Sequence, residues 1–294
     1  MPGARRRRAA TVLLGAVLLA ACGVTDGDRP PGLERAVLDF VAASQQDGGG
    51  SYEAPGRRAR QDVSDGVLAL ADGERDRARR LLERHGYRLA PADGVDLVVP
   101  EEVPDGRGWG LYAVRADGRA VAVEVPHPRA DLRTEHLGAQ LAEAVRAGHL
   151  LVAGARRDSD DRRADVAHQR DSLFALVHEQ LAARRVPAVQ VHGFASDSSP
   201  AHDVIVSPGT SELSPLARAV ADRLDDAGLR TCRVWRSDCG PLEGRSNVQG
   251  AASEVAGTAF VHLEVSSRVR SDRDRTAVLV EAVADAVRAT VPRD

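Results

Sequence analysis

Seven short apolar runs alternate with helix-length amphipathic segments through the last two thirds of this chain. They cover residues 109–114, 120–125, 150–153, 188–191, 204–206, 231–235 and 259–265. Strands of three to seven residues separated by helices of ten to twenty fold in few ways. Each strand must bury both faces, and each helix must cover one of them. The spacing therefore predicts an α/β protein: a three-layer α/β/α sandwich with a mostly parallel or mixed sheet. Within it, helices are expected at 134–147, 165–184, 214–227 and 274–290, and Ala116-Asp117-Gly118 reads as a hairpin joining the first two strands.

Upstream lies a helical N-terminal segment, 33–108. Leu33, Val37, Phe40 and Val41 recur at helical spacing, as do Val67, Leu70, Ala71, Ala78 and Leu82 in a helix expected over 63–85. Gly48-Gly49-Gly50 separates the two as a polar break. The organisation expected is thus a leader at 1–21, a tether at 22–32, the helical segment at 33–108 and the α/β domain at 109–294.

The leader has its own grammar. Arg5 to Arg8 form a charged stretch, 9–18 an apolar core too short to span a bilayer, and Leu19-Ala20-Ala21-Cys22-Gly23 closes it. That closing pentapeptide resembles a bacterial lipobox. The resemblance implies cleavage before Cys22, diacylation of its thiol, and anchoring to the outer face of a bacterial cell membrane. In such an oxidising compartment the remaining cysteines, Cys232 and Cys239, are an even pair expected to form a disulfide. Losing the four leader arginines moves the formal charge from −3 to −7. Arginines interspersed with acids, with no basic stripe, disfavour nucleic acid as a partner.

The chemistry collects at strand ends, where open α/β sheets hold their ligands. Residues 120–125 lead to His127, 188–191 lead to His192, and 259–265 carries Glu264. Pro126 and Pro128 stiffen the backbone on both sides of His127. Two histidines and a carboxylate form the three-ligand set of a catalytic zinc, which leaves a position for water. Glu135, at the opening of the next helix, is the expected carboxylate ligand. Asp131 competes for that role or hydrogen-bonds His127 from behind. Glu264, inside an otherwise apolar strand, needs a metal, a cation such as Arg268 or Arg270, or a catalytic reason to be there; we read it as the general base. His262, two residues earlier on the same strand face, is a spare ligand. Arg245 and Asn247, in the loop 242–250, are candidate substrate contacts, with Arg245 suited to a carboxylate.

The ordered set His127, Glu135, His192 and late Glu264 resembles zinc amidohydrolases of three types: N-acetylmuramoyl-L-alanine amidase, poly-γ-glutamate hydrolase and N-formylglutamate amidohydrolase. These are in turn similar to zinc carboxypeptidases. The resemblance covers about 120–290 and is one of pattern and order, because the spacing from His127 to Glu135 departs from those families. It implies a bound Zn2+ and hydrolysis of an amide bond in a small peptide or cell-wall-type substrate. The alternative is a non-catalytic lipoprotein that binds such a ligand on the same fold.

Overall fold

The computed structural model describes residues 30–45 and 51–293. Cys22 and the leader lie outside the described residues. Within them, one nine-stranded mixed sheet runs in the order β1-β2-β3-β5-β4-β6-β9-β7-β8. Its strands are β1 (Tyr87–Ala92), β2 (Val95–Pro100), β3 (Leu111–Val114), β4 (Arg119–Val125), β5 (Ala147–Val152), β6 (Ala188–Phe194), β7 (Val204–Ser207), β8 (Thr231–Arg233) and β9 (Phe260–Ser266). The four central strands, β5-β4-β6-β9, are parallel, and antiparallel strands flank them on both sides.

Helices cover both faces, giving the three-layer sandwich. On one side lie α1 (Leu33–Ser44), α4 (Thr134–Val145), α6 (Pro215–Asp226) and α9 (Arg273–Thr290); on the other lie α2 (Arg57–Ala71), α3 (Arg75–Glu83), α5 (Leu173–Ala183) and α7 (Val248–Ala256). Strand alternation decides which residue meets which layer. Val121, Val123 and Val125 of β4, Val189 and Val191 of β6, and Val261, Leu263 and Val265 of β9 face α4, α6 and α9. All eight are essentially inaccessible, and each contributes roughly 1.5–3 kcal/mol by leaving water. Gly138 lets α4 come this close, since a Cβ there would run into the Val125 side chain.

The opposite face of the same strands is different. Ala122, Ala188 and Phe260 join the second core, but the next positions toward the carboxyl ends are polar: Glu124 on β4, Gln190 and His192 on β6, His262 and Glu264 on β9. The apolar runs thus conceal a polar stripe that crosses the sheet beneath α5 and α7.

Four expectations are corrected in detail. Residues 111–125 are not a hairpin: β5 lies between β3 and β4, antiparallel to one and parallel to the other. The stretch 33–108 supplies the expected helices and also the β1–β2 hairpin, turned by Asp93-Gly94, which extends the sheet at its edge. The expected helix over 63–85 divides into α2 and α3 around Gly73, which sits at φ +76°. The helix expected from Asp165 begins only at Leu173, capped by Ser172, so Asp165 lies in a loop. A final short helix, α8 (Ser267–Arg270), follows β9 directly.

Candidate metal centre

The segment after β4 coils before α4 begins. The Asp131 N–H donates to the His127 carbonyl at 3.0 Å, and Thr134 N–H donates to the Asp131 carbonyl at 3.3 Å. One helical turn therefore places Asp131 beside His127, with Asp131 Oδ2 3.2 Å from His127 Nδ1. Arg133 then takes a left-handed conformation, φ +69°, and α4 restarts in a new direction. That break turns Glu135 away from the histidines, and its carboxylate accepts the Arg129 N–H at 3.1 Å. The carboxylate between the two histidines is Asp131, where Glu135 had been expected.

His192 approaches from β6, its Nδ1 3.4 Å from Asp131 Oδ2. Gly193 follows it, and the Gly193 N–H also points to Asp131 Oδ2 at 3.3 Å. The rings of His127 and His192 meet edge to face, with centroids 4.8 Å apart. Ligand-capable atoms of His127, Asp131 and His192 all lie within 4.8 Å of one another, and all three residues are buried.

Each member is held from behind. His127 Nε2 lies 2.8 Å from Asp165 Oδ1, and Asp165 is also held by His168 at 3.1 Å and Arg162 at 3.0 Å. Asp165 was not anticipated because the surrounding apolar periodicity, Val166, Ala167, Leu173 and Phe174, mimics a longer helix; only an acid amid that pattern hinted otherwise. His192 Nε2 meets Gln190 Oε1 at 2.8 Å. Arg270 is buried and donates to the carbonyls of Val265 at 3.0 Å, Asp131 at 2.9 Å and Phe194 at 3.1 Å, which ties the Asp131 loop to the ends of β6 and β9.

The electrostatics follow from these contacts. Burial, reinforced by neighbouring His262, pushes the His192 imidazole down to about 3, so its ring is neutral at pH 7. Burial would also lower His127, but its hydrogen bonds to Asp131 and Asp165 prevail and raise it. Burial works against ionisation of Asp131, yet the adjoining His127 and His192 rings hold its carboxyl below the usual carboxylate range. Asp165 behaves alike, with His127, His168 and Arg162 overriding its burial.

A cleft of about 450 Å³ opens onto this cluster, lined also by Arg157, His168 and the 240–247 segment. His127, His192, His262 and Glu264 lie along it. His262 is buried with neither ring nitrogen hydrogen-bonded, and its ring centroid is 4.5 Å from that of His192. Its Nε2 stands 3.6 Å from Glu264 Oε1, and Glu264 Oε2 has no hydrogen-bond partner among the described residues. The arginines suggested as partners for Glu264 are engaged elsewhere: Arg268 pairs with Asp203 at 3.2 Å, and Arg270 holds backbone carbonyls. Arg245 lies at the rim, largely exposed, its Nε 2.5 Å from Glu243 Oε2. Asn247 is buried; it caps α7 and donates to Gln190 Oε1, so its first role is architectural. Cys232 and Cys239 are disulfide-bonded, closing the loop from which the 240–247 segment departs.

The donor set suits a divalent transition metal. His127 and Asp131 from the segment between β4 and α4 and His192 from β6 converge already buried and with outer atoms engaged, which matches three protein ligands with an open side toward a cleft. Glu264 Oε2 and both His262 nitrogens, without hydrogen-bond partners among the described residues, belong to residues lining that cleft, and buried polar groups call for polar partners.

No family model matches the chain, and no curated protein matches it. Among solved structures it is similar to a bacteriophage poly-gamma-glutamate hydrolase, at 18% identity over 58% of this chain and 84% of that chain, with a TM-score of 0.43. It is also similar to an N-formylglutamate amidohydrolase from Ralstonia eutropha, at 12% identity over 59% and 93%, TM-score 0.42. A third is an aspartoacylase family protein from Mesorhizobium loti, at 11% over 71% and 72%, TM-score 0.40. Two of the groups that the sequence pattern resembles are thus among its structural neighbours. With TM-scores below 0.5, these likenesses carry no weight for activity, which rests on the residues themselves.

Proposed function

We propose that this chain is a zinc-dependent hydrolase of amide bonds, with His127, Asp131 and His192 holding the metal. The observation that carries the reading is the convergence of these three buried donors near Glu264, a buried carboxylate opposite His192 in the sheet that lines the same cleft. When bound, zinc supplies Lewis-acid polarisation and brings the pKa of water toward neutrality.

The chain's own groups do the rest. Glu264 accepts the proton of the attacking water and returns it to the leaving nitrogen. His262, 3.6 Å away, limits the orientations open to that carboxylate. Arg157 lies at the cleft, within 4 Å of both Asp131 and Asp165, and with Arg245 at the rim it favours a substrate bearing a carboxylate. A small peptide or a cell-wall-type amide meets these requirements. The lipobox-like pentapeptide that contains Cys22 supports placing the reaction at the outer face of a bacterial membrane.

The test is to load the purified protein with zinc and offer a panel of peptides, γ-glutamyl peptides, N-acyl amino acids and muropeptides, following release of free amine. Amine released by the wild type and not by Glu264→Gln supports the reading. A fully loaded wild type that cleaves no member of the panel contradicts it.

A further inference from the structure

We infer that the cap of α7 fixes a proton of His192 on Nε2, and that Asn247 and Gln190 are positioning residues which make Nδ1 the ring nitrogen offered on the Asp131 side. The inference follows from donors and acceptors whose roles are unambiguous. Asn247 Oδ1 accepts the N–H groups of Gln249 at 2.9 Å and Gly250 at 3.0 Å, the first turn of α7. Its Nδ2 is therefore the end that faces Gln190, 2.5 Å from Gln190 Oε1. An amide nitrogen only donates, so the Gln190 atom there is the carbonyl oxygen.

A second chain of contacts reaches the same answer from the other end of the Gln190 amide. The Val166 carbonyl only accepts, and it takes a hydrogen bond from Gln249 Nε2 at 2.9 Å. Gln249 Oε1 is thus an acceptor, and Gln190 Nε2 points toward it at 3.4 Å and toward Glu124 Oε2 at 2.9 Å. The Gln190 amide is oriented from both ends by backbone groups.

His192 Nε2 lies 2.8 Å from the Gln190 oxygen, a distance at which the nitrogen must donate. With Nε2 engaged as a donor, Nδ1, 3.4 Å from Asp131 Oδ2, is the ring nitrogen left for a metal. An imidazole nitrogen and a carboxylate oxygen this close can share a cation. Glu124, fully buried two residues before Pro126, gains its reason here. It holds the Gln190 amide on one oxygen and His178 Nδ1 on the other at 2.6 Å, and His178 in turn reaches Ser253 of α7 at 3.1 Å.

The consequence for metal affinity rests on the proposed function; the proton position does not, which lets the two fail separately. The experiment is a long-range 15N–1H correlation spectrum of histidine-labelled, metal-free full chain at pH 7, with His192 identified by its loss in His192→Ala. Alongside it, zinc affinity is measured for the wild type, Asn247→Ser and Asn247→Asp. Ser and Asp cap helices about as well as Asn, so a capping role alone leaves all three equal. The inference predicts a protonated Nε2 in the wild type and zinc affinity falling roughly 10-fold or more in both variants. It predicts the larger loss for N247D, whose carboxylate repels the Gln190 oxygen.

A wild-type proton on Nδ1 overturns the inference, as do folded variants whose affinity stays within twofold. A proton on Nε2 in a chain that takes up no zinc upholds the proton assignment and overturns the metal reading instead.

Discussion

His192 on β6 and Glu264 on β9 stand directly opposite each other on adjacent parallel strands, with their side chains on the same face of the sheet. One places its Nδ1 3.4 Å from Asp131 Oδ2, and the other lines the cleft. The pairing register therefore sets the separation between the metal cluster and the proposed base. Glu264→Gln keeps the shape and removes the proton acceptor. We expect the rate of amide hydrolysis to fall about 10²- to 10⁴-fold while bound zinc stays stoichiometric. Unchanged turnover would remove Glu264 from the reaction.

A second expectation concerns Gly193. The guanidinium of Arg270 occupies the place where a Cβ at position 193 would stand, and that guanidinium ties the Val265, Asp131 and Phe194 carbonyls together. Gly193→Ala must displace a buried cation and strand its acceptors. It should cost about 2–4 kcal/mol in urea unfolding, and weaken zinc binding through the Asp131 loop. A loss below about 0.5 kcal/mol, the range of an ordinary surface substitution, would show that Arg270 moves aside freely.

Stability should also fall in acid through a group remote from the cleft. His149 on β5 is buried with both ring nitrogens unpartnered, and burial, aided by Arg184, pushes it down to about 4 from 6.5. Between those values the unfolded chain takes up a proton that the folded chain refuses, so stability declines as pH falls from about 6.5 to about 4 and the effect levels off below. At about 1.4 kcal/mol per unit, the loss is on the order of 3 kcal/mol. His149→Leu should flatten this part of the pH dependence in urea melts. Because His192 is depressed too, the diagnostic quantity is the difference between the two proteins. Parallel curves would contradict the assignment.

Much of this architecture was legible in the order of residues. Alternating strand and helix lengths give the sandwich, and the ends of three strands mark His127, His192 and Glu264 for one region. What escaped did so for identifiable reasons. Asp131 and Glu135 exchange places because Arg133 adopts a left-handed conformation, which side-chain spacing does not encode. Asp165 stands in a loop that reads as helix because the apolar spacing around it imitates one. Glu124 and Gln190 are hidden in runs read simply as buried strands. Yet a carboxylate and an amide alternating with valines in Val121–Val125 and Val189–Val191 were available as a signal, since buried polar groups need partners. The β3–β4 hairpin failed because a good turn does not ensure that the strands it joins become neighbours; β5 inserts between them.

The central claim is that Asp131, and not Glu135, completes a zinc site with His127 and His192. The measurement that bears on it most directly is zinc per chain by inductively coupled plasma mass spectrometry for the wild type, Asp131→Asn and Glu135→Gln, each reconstituted and dialysed identically. We predict close to one zinc in the wild type and in Glu135→Gln, and a severe loss in Asp131→Asn. Zinc retained in Asp131→Asn but lost in Glu135→Gln, or absent from all three, would contradict the account.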